Sequence, residues 1–184
     1  MTLYRAFAWN RDARVDQPDG ALWFPRPFQG EGRHDNPAVY GCLYLADRPV
    51  SCLVEQLAPF RGQRLTAALL RRRGLPLALA ALQIDDRALI LDLDDPIVLR
   101  RERLRPSLVA TRAREVTQPQ ALALFRRYPR AAGLRWWSTW EARWANITLF
   151  DRAAPLLRVE DVHELALEDP AVAEAADWFG MRVA

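Results

Sequence analysis

Between Gly41 and Leu57 the spacing of apolar residues changes period within a few positions, and this switch constrains the fold more than any other feature. GCLYLA (41–46) alternates as a strand does, with Cys42, Tyr44 and Ala46 on one face and Leu43 and Leu45 on the other. Val50, Leu53, Val54 and Leu57 then fall at the i, i+3, i+4, i+7 spacing of a helix. Asp47 is expected to cap that helix, with Pro49 in its first turn. Elsewhere strands and helices mix without regular βαβ alternation. This favours an α+β fold over a doubly wound parallel sheet.

TLYRAFA (2–8) suits a first strand, and residues 9–37 hold much of the proline and glycine and read as a long loop. Residues 64–73 predict a helix ended by Gly74. PLALAALQI and ALILDL predict two strands joined at Asp85–Asp86. QPQALALFRRYP (118–129) predicts a helix with proline near its first turn, and GLRWWS and NITLF predict further strands. VHELAL predicts a last strand, and PAVAEAADWF a closing helix stopped at Gly180. With no internal repeat or linker, residues 1–184 are expected to form one domain of mixed, mostly antiparallel sheets with flanking helices.

At 184 residues the chain can bury a sizeable core. All 26 basic residues are arginine, yet 23 acids are interspersed and the net charge is only +3. That balance is no nucleic-acid footprint. Cys42 and Cys52 read as small buried groups rather than a disulfide framework. MTLYRAFAWNRD lacks a charged leader followed by an apolar run, and no apolar stretch approaches a membrane span. A cytoplasmic protein without membrane partners is the expectation.

Few residues carry obvious chemistry. His34 and His163 are the only histidines and neither stands at metal-ligand spacing, so no metal is expected. There is no Walker motif, GEG (30–32) follows a loop rather than a strand, and no nucleophile partners His34. Arg33 beside the turn is by default a solvated charge; alternatively Gly30 and Gly32 let the backbone approach a ligand whose phosphate the guanidinium grips. Tyr44 is by default a core aromatic, and otherwise a ring face for a heterocycle. Glu55 lies beside the apolar stripe and either reaches water or must be paired.

Four tryptophans (136, 137, 140, 144) fall between Gly133 and Phe150, with Arg135 and Arg143 among them. They read as apolar anchors or as a stacking platform for single-stranded nucleic acid. Ser138 and Asn146 are by default turn or capping residues.

The order of these features is informative. LYR, then G-x-G-R, an apolar strand with tyrosine, a helix with glutamate, and a glycine-to-serine strand before N-x-x-x-F resemble the RES domain family. The likeness runs over residues 3–152, with 153–184 completing the same domain, and is best in GRHDNPAVYGCLYLADRPVSCLVEQLA. Two positions depart from the family pattern. His34-Asp35-Asn36 stands where the family has Trp-Asn, and Ser138 follows Trp136-Trp137 rather than proline.

The resemblance implies a fold related to ADP-ribosyltransferase toxins and an enzyme, the toxin half of a bacterial toxin–antitoxin pair, that cleaves the nicotinamide–ribose bond of NAD. By position it implies Glu55, Arg33 and Ser138 as catalytic. Arg5, Arg33, Tyr44, Ser138 and Asn146 would bind substrate. NAD would be a substrate, with no cofactor. The implied partners are NAD, inorganic phosphate as an acceptor beside water, and a cognate antitoxin protein, with a homodimer left open. Modification of a protein by ADP-ribosyl transfer, a nucleic-acid-binding module at 135–144 and an inactive interaction domain are the alternatives.

Overall fold

A computed structural model of the chain describes residues 1–183. In chain order the strands are β1 (Thr2–Ala8), β2 (Cys42–Ala46), β3 (Arg71–Arg72), β4 (Leu75–Ile84), β5 (Leu89–Asp92), β6 (Ala131–Trp137), β7 (Ala145–Phe150) and β8 (Leu157–Glu164). The helices are α1 (Pro49–Leu57), α2 (Pro96–Glu102), α3 (Pro106–Val109), α4 (Arg114–Arg127) and α5 (Pro170–Trp178). The fold is α+β, as expected. Internal contacts divide it into two units, one of residues 1–23, 45–83 and from Arg158 on, the other of residues 24–44 and 84–157.

In the first unit β1 and β4 pair antiparallel, with Leu3 opposite Leu82 and Phe7 opposite Ala78. Alternate residues Leu3, Arg5 and Phe7 of β1 are buried, and α1 packs against β1 and α5. The apolar stripe Val50, Leu53, Val54, Leu57 is fully inside. Pro49 is the first helical residue, as expected, but the residue at the cap is Arg48 rather than Asp47, and it makes no side-chain capping bond. The fixed φ of proline sets the start one residue later than the capping pattern suggests.

The helix expected at 64–73 is absent. Ala67–Leu70 form one 3-10 turn and Arg71–Arg72 pair as β3 with Pro76 and Leu75. Arg73 and Gly74 have φ of 52° and 82°, the two positive values of a tight hairpin turn. Gly74 is therefore a turn residue and not a helix stop. The Arg72 guanidinium lies over the Phe60 ring at 4.8 Å and donates to the carbonyls of Gln56 and Leu69, which ties the stretch down in extended form. β8, which pairs with β4, begins five residues before the predicted VHELAL.

The second unit carries the sheet order β2-β7-β6-β5. β6 and β7 are antiparallel, with Trp136 opposite Asn146 and Leu134 opposite Thr148, and β5 and β6 are parallel. Tyr40, Leu91, Val98, Leu124, Leu134, Trp136 and Phe150 form a continuous core there. α4 starts earlier than predicted, which puts Pro119 inside it rather than near its start. The bond this proline removes is to the carbonyl of Glu115, an exposed residue of the opening turn, and Thr117 Oγ1 ties that turn to the Arg33 carbonyl at 2.6 Å. α2 and α3 escaped prediction because both are short. Asp95 caps α2, accepting from the Ile97 N–H at 2.8 Å. Among the described residues no helix is long and apolar enough to cross a membrane.

Candidate active site

Arg33 is half-buried and its setting is specific. Its guanidinium lies over the Trp136 ring, 4.3 Å from the centroid. Nη1 donates to the Val109 carbonyl at 3.1 Å and to that of Thr111. Stacking on the indole covers one face of the guanidinium and orients its N–H edge, whose planar fork can meet paired oxyanion oxygens.

The turn that delivers Arg33 is organised by Asp35. This buried carboxylate accepts from the Gly30 and Gly32 N–H groups at 2.8 and 2.7 Å and from the Tyr44 hydroxyl at 2.7 Å. The Tyr44 oxygen in turn accepts from the His34 N–H at 3.0 Å. Burial, then the neighbouring Cys42 and Asp35, push the Tyr44 phenol well above its ordinary pKa, so it remains a neutral donor. A Cβ on Gly32 would lie 2.5 Å from the Tyr44 hydroxyl and 2.6 Å from Asp35 Oδ1. The close approach permitted by Gly32 is thus to the protein's own Tyr44 and Asp35. Gln118 from α4 closes the turn, donating to the Gly30 and Gly32 carbonyls at 2.9 Å each.

His34 points inward. Its Nδ1 lies 2.8 Å from Thr148 Oγ1, and its ring meets Trp136 edge-on at 5.5 Å. Burial, reinforced by the Arg33 charge, lowers its pKa to about 3 and keeps the ring neutral. Thr148 Oγ1 also accepts from Trp136 Nε1 at 3.1 Å, which fixes the indole on which Arg33 rests.

Ser138 is buried just beyond β6. Its N–H donates to the Trp144 carbonyl at 2.8 Å and its Oγ accepts from the Trp140 N–H at 3.1 Å. A hydroxyl that accepts one bond still has a proton to donate. Asn146 is buried on β7, directly across the ladder from Trp136. Arg33 and Asn146 therefore adjoin Trp136, Tyr44 is linked to it through His34, and Ser138 follows two residues later; all four belong to the second unit.

Arg5 and Glu55 belong to the first unit. Arg5 is buried, donates to the Gly20 and Ala21 carbonyls at 3.1 and 2.6 Å, and stacks 4.7 Å over Phe7. Desolvation lowers its pKa to about 9, leaving it charged at neutral pH. It orders the first part of the 9–37 loop. Glu55 is exposed on α1, opposite the packed stripe.

The tryptophan–arginine cluster does not form an open basic platform. Trp136 and Trp144 are buried, Trp136 carries Arg33, and Trp140 carries Arg112 at 4.6 Å. Arg135 pairs with Asp92 at 2.9 Å and Arg143 with Glu141 at 3.2 Å. With Arg135 and Arg143 paired and Trp136 and Trp144 buried, the cluster is not a continuous stacking surface for a single strand.

Asp35, His34, Trp136, Thr148 and Gln118 were not anticipated as parts of the site. Only Asp35 had a readable signal. An acid three residues after a turn glycine can reach back to that glycine's N–H, as the acid of a capping box does.

The model of the RES domain family matches residues 2–170. The chain belongs to the RES domain family. No curated protein matches it. Among solved structures it is similar to a chain of the M. tuberculosis MbcT–MbcA toxin–antitoxin complex, at 18% identity and a TM-score of 0.62, covering 98% of this chain and 89% of that one. At that identity the likeness establishes a shared fold. The RES match takes in Arg5, Arg33, Tyr44, Glu55, Ser138 and Asn146.

Proposed function

We propose that the chain is the toxin of a toxin–antitoxin pair and cleaves the nicotinamide–ribose bond of NAD, with water or phosphate as acceptor. The observation that carries this reading is the RES match over residues 2–170, supported by the planar cation that Arg33 presents on Trp136. A cognate antitoxin is the protein partner that the reading requires.

Nicotinamide leaves as a neutral base, so its departure needs no general acid. Positive charge develops on the ribose as the bond breaks, as in glycoside cleavage. Glu55 supplies the carboxylate that stabilises this charge and orients the acceptor. Its exposure on α1 leaves it within reach of a diffusing substrate. Arg33 holds the pyrophosphate, and its stack on Trp136 reduces the entropy lost when oxyanion bonds form.

The Tyr44 hydroxyl is committed to Asp35 and His34, so its contribution to NAD is the ring. Ser138 donates its hydroxyl proton to the dinucleotide, and Asn146 offers an amide beside Trp136. Arg5 acts through the loop carbonyls it holds.

The test is to incubate the purified protein with NAD, with and without phosphate, and to separate the products. Free nicotinamide with ADP-ribose, or with its phosphorylated form when phosphate is present, supports the reading and identifies the acceptor. Unchanged NAD under both conditions rejects it.

A further inference from the structure

Arg112 lies in the short connection between α3 and α4 and is exposed. Three observations set it apart from the other arginines near the tryptophan cluster. Its guanidinium stacks on the Trp140 ring at 4.6 Å, as Arg33 does on Trp136 at 4.3 Å. Arg135 and Arg143 are neutralised by Asp92 and Glu141, whereas Arg112 has no carboxylate partner among the described residues. Finally, Arg33 Nη1 donates to the Thr111 carbonyl, and that peptide group leads directly into Arg112. The two cation-on-indole stations are therefore linked by one peptide bond. The backbone that carries the Trp140 indole is held as well, since the Trp140 main-chain N–H donates to Ser138 Oγ.

An exposed arginine normally loses much entropy when it orders around an anion. Stacking removes part of that loss while leaving the N–H edge of the guanidinium open. A diphosphate offers two oxyanion groups, and Arg33 alone can grip one of them in bidentate fashion. We propose that Arg112 is a second phosphate-contacting residue, which together with Arg33 selects a ligand carrying a diphosphate. This rests on the reading of NAD as substrate and adds a specificity determinant to it. The Arg33 contact places the 109–111 carbonyls, and the Trp140 stack places the cation that follows them.

The experiment compares wild type with Arg112→Ala in binding ADP-ribose, which keeps the diphosphate but has no nicotinamide bond to break, and adenosine, which has no phosphate. Turnover of NAD is measured in parallel. Arg112→Ala should weaken ADP-ribose binding about tenfold, flatten its dependence on salt and leave adenosine unaffected. KM for NAD should rise by a similar factor with kcat unchanged. A merely structural role for the stack would lower the unfolding temperature or affect both ligands alike.

Equal ADP-ribose affinity and equal KM in the two proteins would overturn the Arg112 assignment while leaving NAD turnover intact. Loss of both ligands in proportion would overturn it too. If the wild type neither consumes NAD nor binds ADP-ribose, the reading of the substrate fails and the assignment falls with it.

Discussion

The turn at 30–35 and helix α1 each present one charged residue of the family pattern, and they hold it by opposite means. Around Arg33 the fixing is polar: Asp35, Tyr44, His34 and Gln118 saturate one another and the turn backbone. Around Glu55 it is apolar, because Val50, Leu53, Val54 and Leu57 anchor the opposite side of the helix. A hydrogen-bonded turn is sensitive at its buried partners, since a group left unsatisfied away from water costs free energy. A packed helix tolerates almost any change on its exposed face.

The largest expected effect isolates Glu55. Glu55→Ala should lower the rate of nicotinamide release on the order of 10²–10³-fold, as loss of one transition-state charge partner does. The denaturation midpoint should stay put, because the residue is exposed on a helix held by its other face. Activity close to wild type would remove Glu55 from the mechanism; a large drop in stability would show that α1 depends on it.

Gly32→Ala tests the opposite side of the contrast. The added methyl would collide with the Tyr44 hydroxyl and Asp35 Oδ1 at about the distances of a covalent 1,3 contact. Displacing two mutually bonded groups should cost about 2–3 kcal/mol of stability. It should also raise KM for NAD, because Arg33 is the next residue. Normal stability in this variant would mean that the turn is not the rigid element described.

The same contrast explains what could be read from sequence. β1, β2, α1, β7 and α5 were legible because an apolar period of two or 3.6 specifies them locally. The hairpin at 71–76 was not. An apolar LTAALL followed by three arginines resembles a helix, and only pairing with Pro76 and Leu75 makes its end extended. In the site, the family pattern points to Arg33, Tyr44, Glu55 and Ser138. The polar support of Arg33 comes from residues far apart in the chain, such as Gln118, Trp136 and Thr148. No local signal announces such contacts, whereas the support of Glu55 is the helical stripe itself.

His34 makes the stability of the turn depend on pH. Its folded pKa is about 3 against an ordinary value near 6.5, so between these values the unfolded chain binds the extra proton. Stability is therefore full above pH 6.5 and is lost as pH falls toward 3. The groups packed against it are the Arg33 cation and the neutral Trp136 and Thr148, none of which compensates an imidazolium. From pH 7 to 5 the loss should be about 2 kcal/mol. Denaturant midpoints at the two pH values measure it, and His34→Gln should flatten the difference. An equal slope in that variant would assign the acid sensitivity to other groups.

The smallest effect concerns Gln118, which braces the turn from α4 through two bonds to glycine carbonyls. Both carbonyls sit near enough to the surface for water to replace the lost donor, so Gln118→Ala should cost only about 1 kcal/mol. KM for NAD should rise about threefold with kcat unchanged, since binding geometry changes and chemistry does not. Gln118→Glu is the sharper variant. It keeps the length of the side chain but turns a carboxylate toward two carbonyl oxygens, leaving three acceptors with no donor between them. It should therefore be less stable than Gln118→Ala. If the glutamate variant matched wild type in stability and KM, the turn would not rely on donation from α4, and Asp35 alone would have to carry it.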